Sequence, residues 1–113
     1  MERIEEVEII VDGQNYAAAR DCELSKTEKG TRANAIKWFN LTRNEYVIDF
    51  GDHSPFVEKG TIKVPAREGK VAGEIGPYHV SPTVKAKSYA YSITPLATIR
   101  VMAADPIVIV HDT

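Results

Sequence analysis

Ile36-Lys37-Trp38-Phe39-Asn40, followed across a polar break by Tyr46-Val47-Ile48-Asp49-Phe50, decides the fold of this chain. Ile36 and Trp38 fall on one face at strand period, and Tyr46, Ile48 and Phe50 repeat the pattern after Leu41 to Glu45. Trp38 is the only tryptophan. Two alternating runs joined by a short polar segment predict two half-buried strands, and the rest of the chain is placed around them.

Upstream, Val7 to Val11 is β-branched and nearly continuous in apolar character, and Asp12-Gly13-Gln14-Asn15 closes it with turn residues. Ala18 to Leu24 alternates, with Cys22 and Leu24 on the expected inward side. Tyr16 to Arg20 could instead form a single helical turn, because its three alanines favour helix, but it is too short to hold a helix alone and is read as a strand or connector. Ser25 to Gly30 reads as a polar hairpin-like link.

Downstream, Gly51-Asp52-His53-Ser54-Pro55 is a loop, Gly60 to Val64 a strand stopped by Pro65, and Val71, Gly73 and Ile75 a further alternating run. Tyr78 to Thr83 reads as loop. Lys85 to Ile93 reads as one strand with Tyr89, Tyr91 and Ile93 inward. Ile99 to Met102 is a short strand, and Asp105-Pro106 introduces the last one, Ile107 to Val110. Seven to eight short strands without an amphipathic helix predict an all-β, antiparallel Greek-key β-sandwich.

Composition narrows the function. At 113 residues, 43% hydrophobic and 27% charged, the chain fits one globular domain over 1–113. No apolar run is longer than that of Ile107 to Val110, which is too short to span a bilayer, so no membrane association is expected. A net charge of -2 with dispersed Lys and Arg gives no basic stripe, so nucleic acid is not an expected partner. Cys22 stands alone, which rules out an intrachain disulfide and a thiolate-rich metal cage. The acidic start lacks the apolar core of a signal peptide and fits a cytoplasmic protein or a mature secreted or periplasmic fragment.

The order of motifs adds a resemblance. Trp38-Phe39-Asn40, Phe50 to Phe56, Ile62-Lys63-Val64-Pro65, Tyr89-Ala90-Tyr91-Ser92-Ile93 and Asp105-Pro106-Ile107-Val108-Ile109 together resemble cupredoxin-like domains. The nearest likeness is to the divergent, plastocyanin-like bacterial group in which a terminal strand follows an Asp-Pro. The resemblance implies a cupredoxin-like sandwich. Members with type 1 copper use two His, a Cys and usually an axial Met, a soft set suited to electron transfer. Here Glu45 and Tyr46 stand where the first His is expected, Ile93 where the Cys is expected, and no His follows in Thr94 to Thr98. The resemblance therefore implies the fold without a type 1 copper site, and no cofactor is expected.

Several residues keep two readings open. His53, His79, Glu45 and Met102 could form an altered metal or electron-transfer site, provided that two of these side chains come within coordination distance at one pole; otherwise the histidines are solvated loop residues. Asp52 and His53 could supply an acid or base to a small enzyme if their loop closes over a polar pocket. Cys22 is a nucleophile only if exposed and near positive charge, and otherwise a core residue. Asn40-Leu41-Thr42 matches a glycosylation acceptor or a turn in which the Asn side chain bonds local backbone. Tyr78, Tyr89 and Tyr91 could line a ligand face or pack the core. Lys85-Ala86-Lys87 with Lys63, Arg67 and Lys70 could meet an acidic partner or keep strand edges soluble. The expected function is a non-catalytic module for binding an unidentified protein partner or for assembly. Self-association to a homo-oligomer is expected from the apolar last strand.

Overall fold

The computed structural model describes residues 3–11, 17–27, 31–95 and 105–113. The described residues form ten strands and no helix: β1 (Ile4–Val11), β2 (Ala17–Ala18), β3 (Cys22–Ser25), β4 (Ala35–Asn40), β5 (Tyr46–Asp49), β6 (Ile62–Val64), β7 (Gly73–His79), β8 (Ser88–Ala90), β9 (Ser92–Pro95) and β10 (Ile107–His111). They assemble into three sheets with strand orders β2-β1-β4-β7, β3-β10-β8 and β6-β5-β9. Among these residues no helix is long and apolar enough to cross a membrane. The expected turn at Asp12 to Asn15 and the expected strand from Ile99 to Met102 lie outside the described residues.

The expectation of an antiparallel arrangement is corrected at two places. β1 runs parallel to β4, with Val7 opposite Trp38, and β10 runs parallel to β3, with Val108 opposite Cys22. Alternation marks which side chains face inward but carries no chain direction, and parallel neighbours need only a long connection between them. Both pairs have one, because further strands intervene in sequence between each pair. Every other pairing between these strands is antiparallel.

Two more boundaries differ from the sequence reading. The single strand expected over Lys85 to Ile93 is divided: β8 pairs with β10 and β9 pairs with β5, with Tyr91 at the crossing between sheets. The inward face survives the change of partner, since Tyr89, Tyr91 and Ile93 are all buried. β7 also continues through Gly76 and Pro77 to His79, where a loop was expected from Tyr78 onward. β7 stands at the end of its sheet order, a position where proline is tolerated because its missing N–H is not needed by a second neighbour. The β4–β7 register shifts between Ile36 and Trp38. At that bulge Gly76 has φ 115°, and a Cβ there would lie 2.9 Å from the Ile36 carbonyl oxygen.

The core forms where the three sheets meet. Val7, Ile9, Leu24, Ile36, Trp38, Phe56, Val64 and Val108 are wholly buried. Around the Trp38 ring stand Phe56 at 6.1 Å, Tyr78 at 5.9 Å and Tyr91 at 5.8 Å, each edge-on, and Phe50 at 6.4 Å in a tilted arrangement. Edge-to-face contacts of this kind add to the area that the rings remove from water. The indole N–H donates to the Tyr91 hydroxyl at 3.3 Å, so the one polar atom of the ring is satisfied inside the core.

Asn40, at the end of the same strand, is fully buried and bonds on both sides of its amide. Its Nδ2 donates to the carbonyls of Asn44 at 2.7 Å and Pro65 at 2.9 Å, and its Oδ1 accepts from the Thr42 N–H at 2.9 Å. The turn reading of Asn40 is therefore the one observed, and the buried amide has no room for a glycan. Gly73, opposite Asn40, completes the arrangement: a Cβ there would fall 2.0 Å from the Pro65 oxygen that Asn40 holds.

Replacing Asn40 tests this turn. Asn40→Asp puts a carboxylate oxygen against two carbonyls and should destabilise the fold by about 3 kcal/mol at neutral pH. The deficit should shrink on acidification, because a protonated acid can again donate to one carbonyl. Urea unfolding at neutral and acidic pH reads both effects. Trp38→Ala should cost about 3–5 kcal/mol and Tyr91→Phe about 1 kcal/mol in the same assay.

Candidate functional site

Of the altered metal set, Glu45, His53 and His79 fall among the described residues. Glu45 precedes β5 and His53 follows it, so the strand separates them, and both side chains are exposed. His79 lies at the end of β7, on the side of the fold where the Val57 N–H donates to the His79 carbonyl and the Ser81 N–H to the Pro55 carbonyl. Met102 lies outside the described residues. Among the described residues no three His, Cys, Asp or Glu side chains are grouped as a metal ion would require.

His79 instead engages a carboxylate. Its Nδ1 lies 2.6 Å from Glu58 Oε2, and its backbone N–H donates to Glu58 Oε1 at 2.8 Å. Partial burial raises the Glu58 pKa, but the hydrogen bonds from the His79 ring and backbone outweigh it, so the carboxyl titrates below its ordinary value. His111 forms a second such pair, Nε2 to Glu23 Oε1 at 2.8 Å, between the parallel strands β10 and β3. Neither Glu was singled out in the sequence. Partners 21 and 88 residues apart come together only through the fold, and no local spacing signals them.

The remaining candidates separate as follows. Asp52 and His53 sit on an exposed turn, and the nearby groove of about 410 Å³ is lined by Phe50, Gly51 and Ser54 rather than by them. Cys22 is buried on the inward face of β3; burial, reinforced by the Glu5 charge, pushes its thiol up to about 12. It is neither a nucleophile nor a ready thiolate ligand in the folded chain. Tyr89 donates its hydroxyl to the Lys85 carbonyl at 2.7 Å, and Tyr91 is held by Trp38, so both serve the core. Lys63 lies on β6, Arg67 and Lys70 beyond it, and Lys85 and Lys87 before β8, so no single element gathers them.

A different surface gathers side chains of distinct chemistry: the outer face of the sheet β2-β1-β4-β7. Val7 and Ile9 on β1 and Ile36 and Trp38 on β4 point inward, which turns Glu6, Glu8, Ile10, Lys37 and Phe39 outward. The apolar pattern inverts at the end of β4, where Asn40 is buried and Leu41 is 37% exposed. Ile10 is 46% exposed and stands opposite Ala18 of β2. Ala18, Ala19 and Ala72 are short beside Ile10, Phe39 and Leu41, and a groove of about 560 Å³ opens over them.

Charges on this face are unevenly committed. Arg20 is tied to the Glu5 carboxylate and to the Glu6 carbonyl. Lys37 bonds Glu74 at 3.0 Å and lies 5.4 Å above the centre of the Phe39 ring. Glu6 and Glu8 line the groove without an ion-pair partner among the described residues. The sequence held a signal for this face: Ile10, Phe39 and Leu41 break the alternation of their strands by placing apolar side chains at outward positions.

No protein-family model, curated protein or solved structure matches this chain.

The Glu58–His79 pair should contribute to the acid limb of stability. Because the folded-state pKa of Glu58 is lowered, its contribution to stability is complete above the ordinary value of 4.5 and is lost as pH falls through the lowered one. Glu58→Gln should flatten that part of the acid limb of a stability-versus-pH curve measured by urea unfolding. If the curves of variant and parent run parallel there, the pair does not control it. Cys22, for its part, should react with a thiol reagent at mildly alkaline pH only at the rate at which the chain opens.

Proposed function

We propose that this chain is a cupredoxin-like, Greek-key β-sandwich that serves as a non-catalytic module for protein binding or assembly, without type 1 copper chemistry. The observation that carries the reading is the outer face of the β2-β1-β4-β7 sheet, where Ile10 and Leu41 are exposed beside Phe39 and Ala72 in an open groove. Apolar side chains presented together at the surface mark contact sites more often than isolated ones do. A shallow groove open to solvent suits a macromolecular partner better than a reaction that must exclude water.

Supporting the copper-free reading, the positions where the resemblance expects copper ligands hold other residues. Ile93, at the position where the resemblance expects the Cys, is buried opposite Ile48. Cys22 holds its proton at neutral pH. Assembly through the last strand loses its motive, because β10 is bracketed by β3 and β8 and offers no open edge. A homo-oligomer, if formed, uses another surface.

Two measurements test the proposal. Copper(II) titration should produce no intense thiolate-to-copper band in the visible spectrum; such a band overturns the copper-free reading. Affinity capture with the parent chain and with an Ile10→Asp, Leu41→Asp chain should recover a partner only with the parent, at equal urea midpoints. Equal recovery by the two chains removes this face from the function.

A further inference from the structure

We propose that the outer groove of the β2-β1-β4-β7 sheet binds an extended segment of a partner protein in which apolar side chains are interspersed with Lys or Arg. The inference rests on the binding-module reading and names the chemistry of its partner.

Register places the groove's side chains in rows across the sheet. Ala18 pairs with Ile10 at the β2–β1 junction, and the Leu41 N–H donates to the Ile9 carbonyl, which sets Leu41 beside Ile10. Ala72 precedes Gly73, the partner of Asn40, and so falls beside Leu41. The row Ala18, Ile10, Leu41, Ala72, with Leu41 just after β4 and Ala72 just before β7, crosses four neighbouring chain segments spaced about 4.8 Å apart, or about 14 Å in all, the reach of roughly four extended residues. Its small ends and larger centre leave recesses that accept side chains while the middle supplies apolar contact.

The adjacent rows decide the charge of the occupant. Glu8 pairs with Phe39, which in turn pairs with Glu74, and Glu6 pairs with Lys37. The basic groups on this face are engaged, Arg20 with Glu5 and Lys37 with Glu74, while the Glu6 and Glu8 carboxylates have no ion-pair partner among the described residues. A segment with apolar side chains over the Ile10–Leu41 row therefore meets two uncommitted negative charges one and two rows away. Lys or Arg at those places complements them, whereas Asp or Glu is repelled. Arg20 and Lys37 do not reverse the preference, since their charges are already matched.

Selection from a random peptide library on the immobilised chain tests the inference, followed by fluorescence anisotropy of the leading peptide carrying a dye. Enriched peptides should combine Leu, Ile, Val or Phe with Lys or Arg. Glu8→Lys should weaken the leading peptide at least about tenfold, Glu8→Gln less, and added salt should weaken it further, since exposed charges are screened. Ile10→Asp should abolish binding. Both positions are exposed, and equal urea midpoints establish that the variants fold. Failure to enrich any peptide, enrichment of peptides without a cation, or affinity unchanged by Glu8→Lys and Ile10→Asp overturns the inference. A parent chain that sediments as an oligomer while Glu8→Lys sediments as a monomer also overturns it, because the occupant is then a second copy. In each of these cases a partner captured by the chain still upholds the binding reading, so the two failures are told apart.

Discussion

The fold depends on the burial of one indole with its N–H satisfied. Trp38 sits on β4, and its bond to the Tyr91 hydroxyl joins the four-stranded sheet to the point where the chain passes from β8 to β9. Phe50, which follows β5, packs against both rings, at 6.4 Å from Trp38 and 4.8 Å from Tyr91. One aromatic group thus contacts elements of all three sheets. Without it the short strands, some of only two or three residues, have too little pairing of their own to persist. Burial of Tyr91 also pushes its phenol well above the ordinary range, and the neutral hydroxyl oxygen accepts the indole N–H.

Two residues beyond the indole, the constraint changes from apolar packing to hydrogen bonding. Asn40 occupies an inward position on β4, yet its amide lies among the carbonyls of Asn44 and Pro65 and the N–H of Thr42. It fixes the turn into β5 and the end of β6 together, and the absence of a side chain at Gly73 lets the Pro65 carbonyl approach. With Asn40 turned inward, Leu41 must face out. The same local geometry that closes the core therefore exposes an apolar residue beside Ile10.

What was legible in the sequence follows from this division. The inward sides of Ile36 and Trp38, of Cys22 and Leu24, and of Tyr89, Tyr91 and Ile93 could be read because alternation is a property of neighbours along the chain. The parallel pairings of β1 with β4 and of β3 with β10 could not, because strand direction is decided by partners far away in sequence. The passage from β8 to β9 was hidden for the same reason: Tyr91 keeps its face while its neighbours exchange sheets. His53 and His79 drew notice as potential ligands because of their residue type. Their surroundings, an exposed turn and a carboxylate from another loop, arise only in the folded chain.

The outer face was legible in part and for a physical reason. A strand covered on one side should alternate apolar and polar residues, and β1 does so from Glu6 to Ile9, just as β4 does from Ile36 to Trp38. Departures from alternation have two meanings: a second layer covers the strand, or the surface is kept apolar for contact. Sequence cannot choose between them. Burial can, and Ile10 and Leu41 remain exposed among the described residues while Val7 and Ile9, their neighbours on the inner side, are fully covered. Keeping apolar side chains in water forgoes about 25 cal/mol for every Å² left uncovered, so such a face is a cost to the isolated chain that a bound partner would offset. The carboxylates of Glu6 and Glu8 keep the uncovered face soluble and, by the same charge, restrict what can cover it.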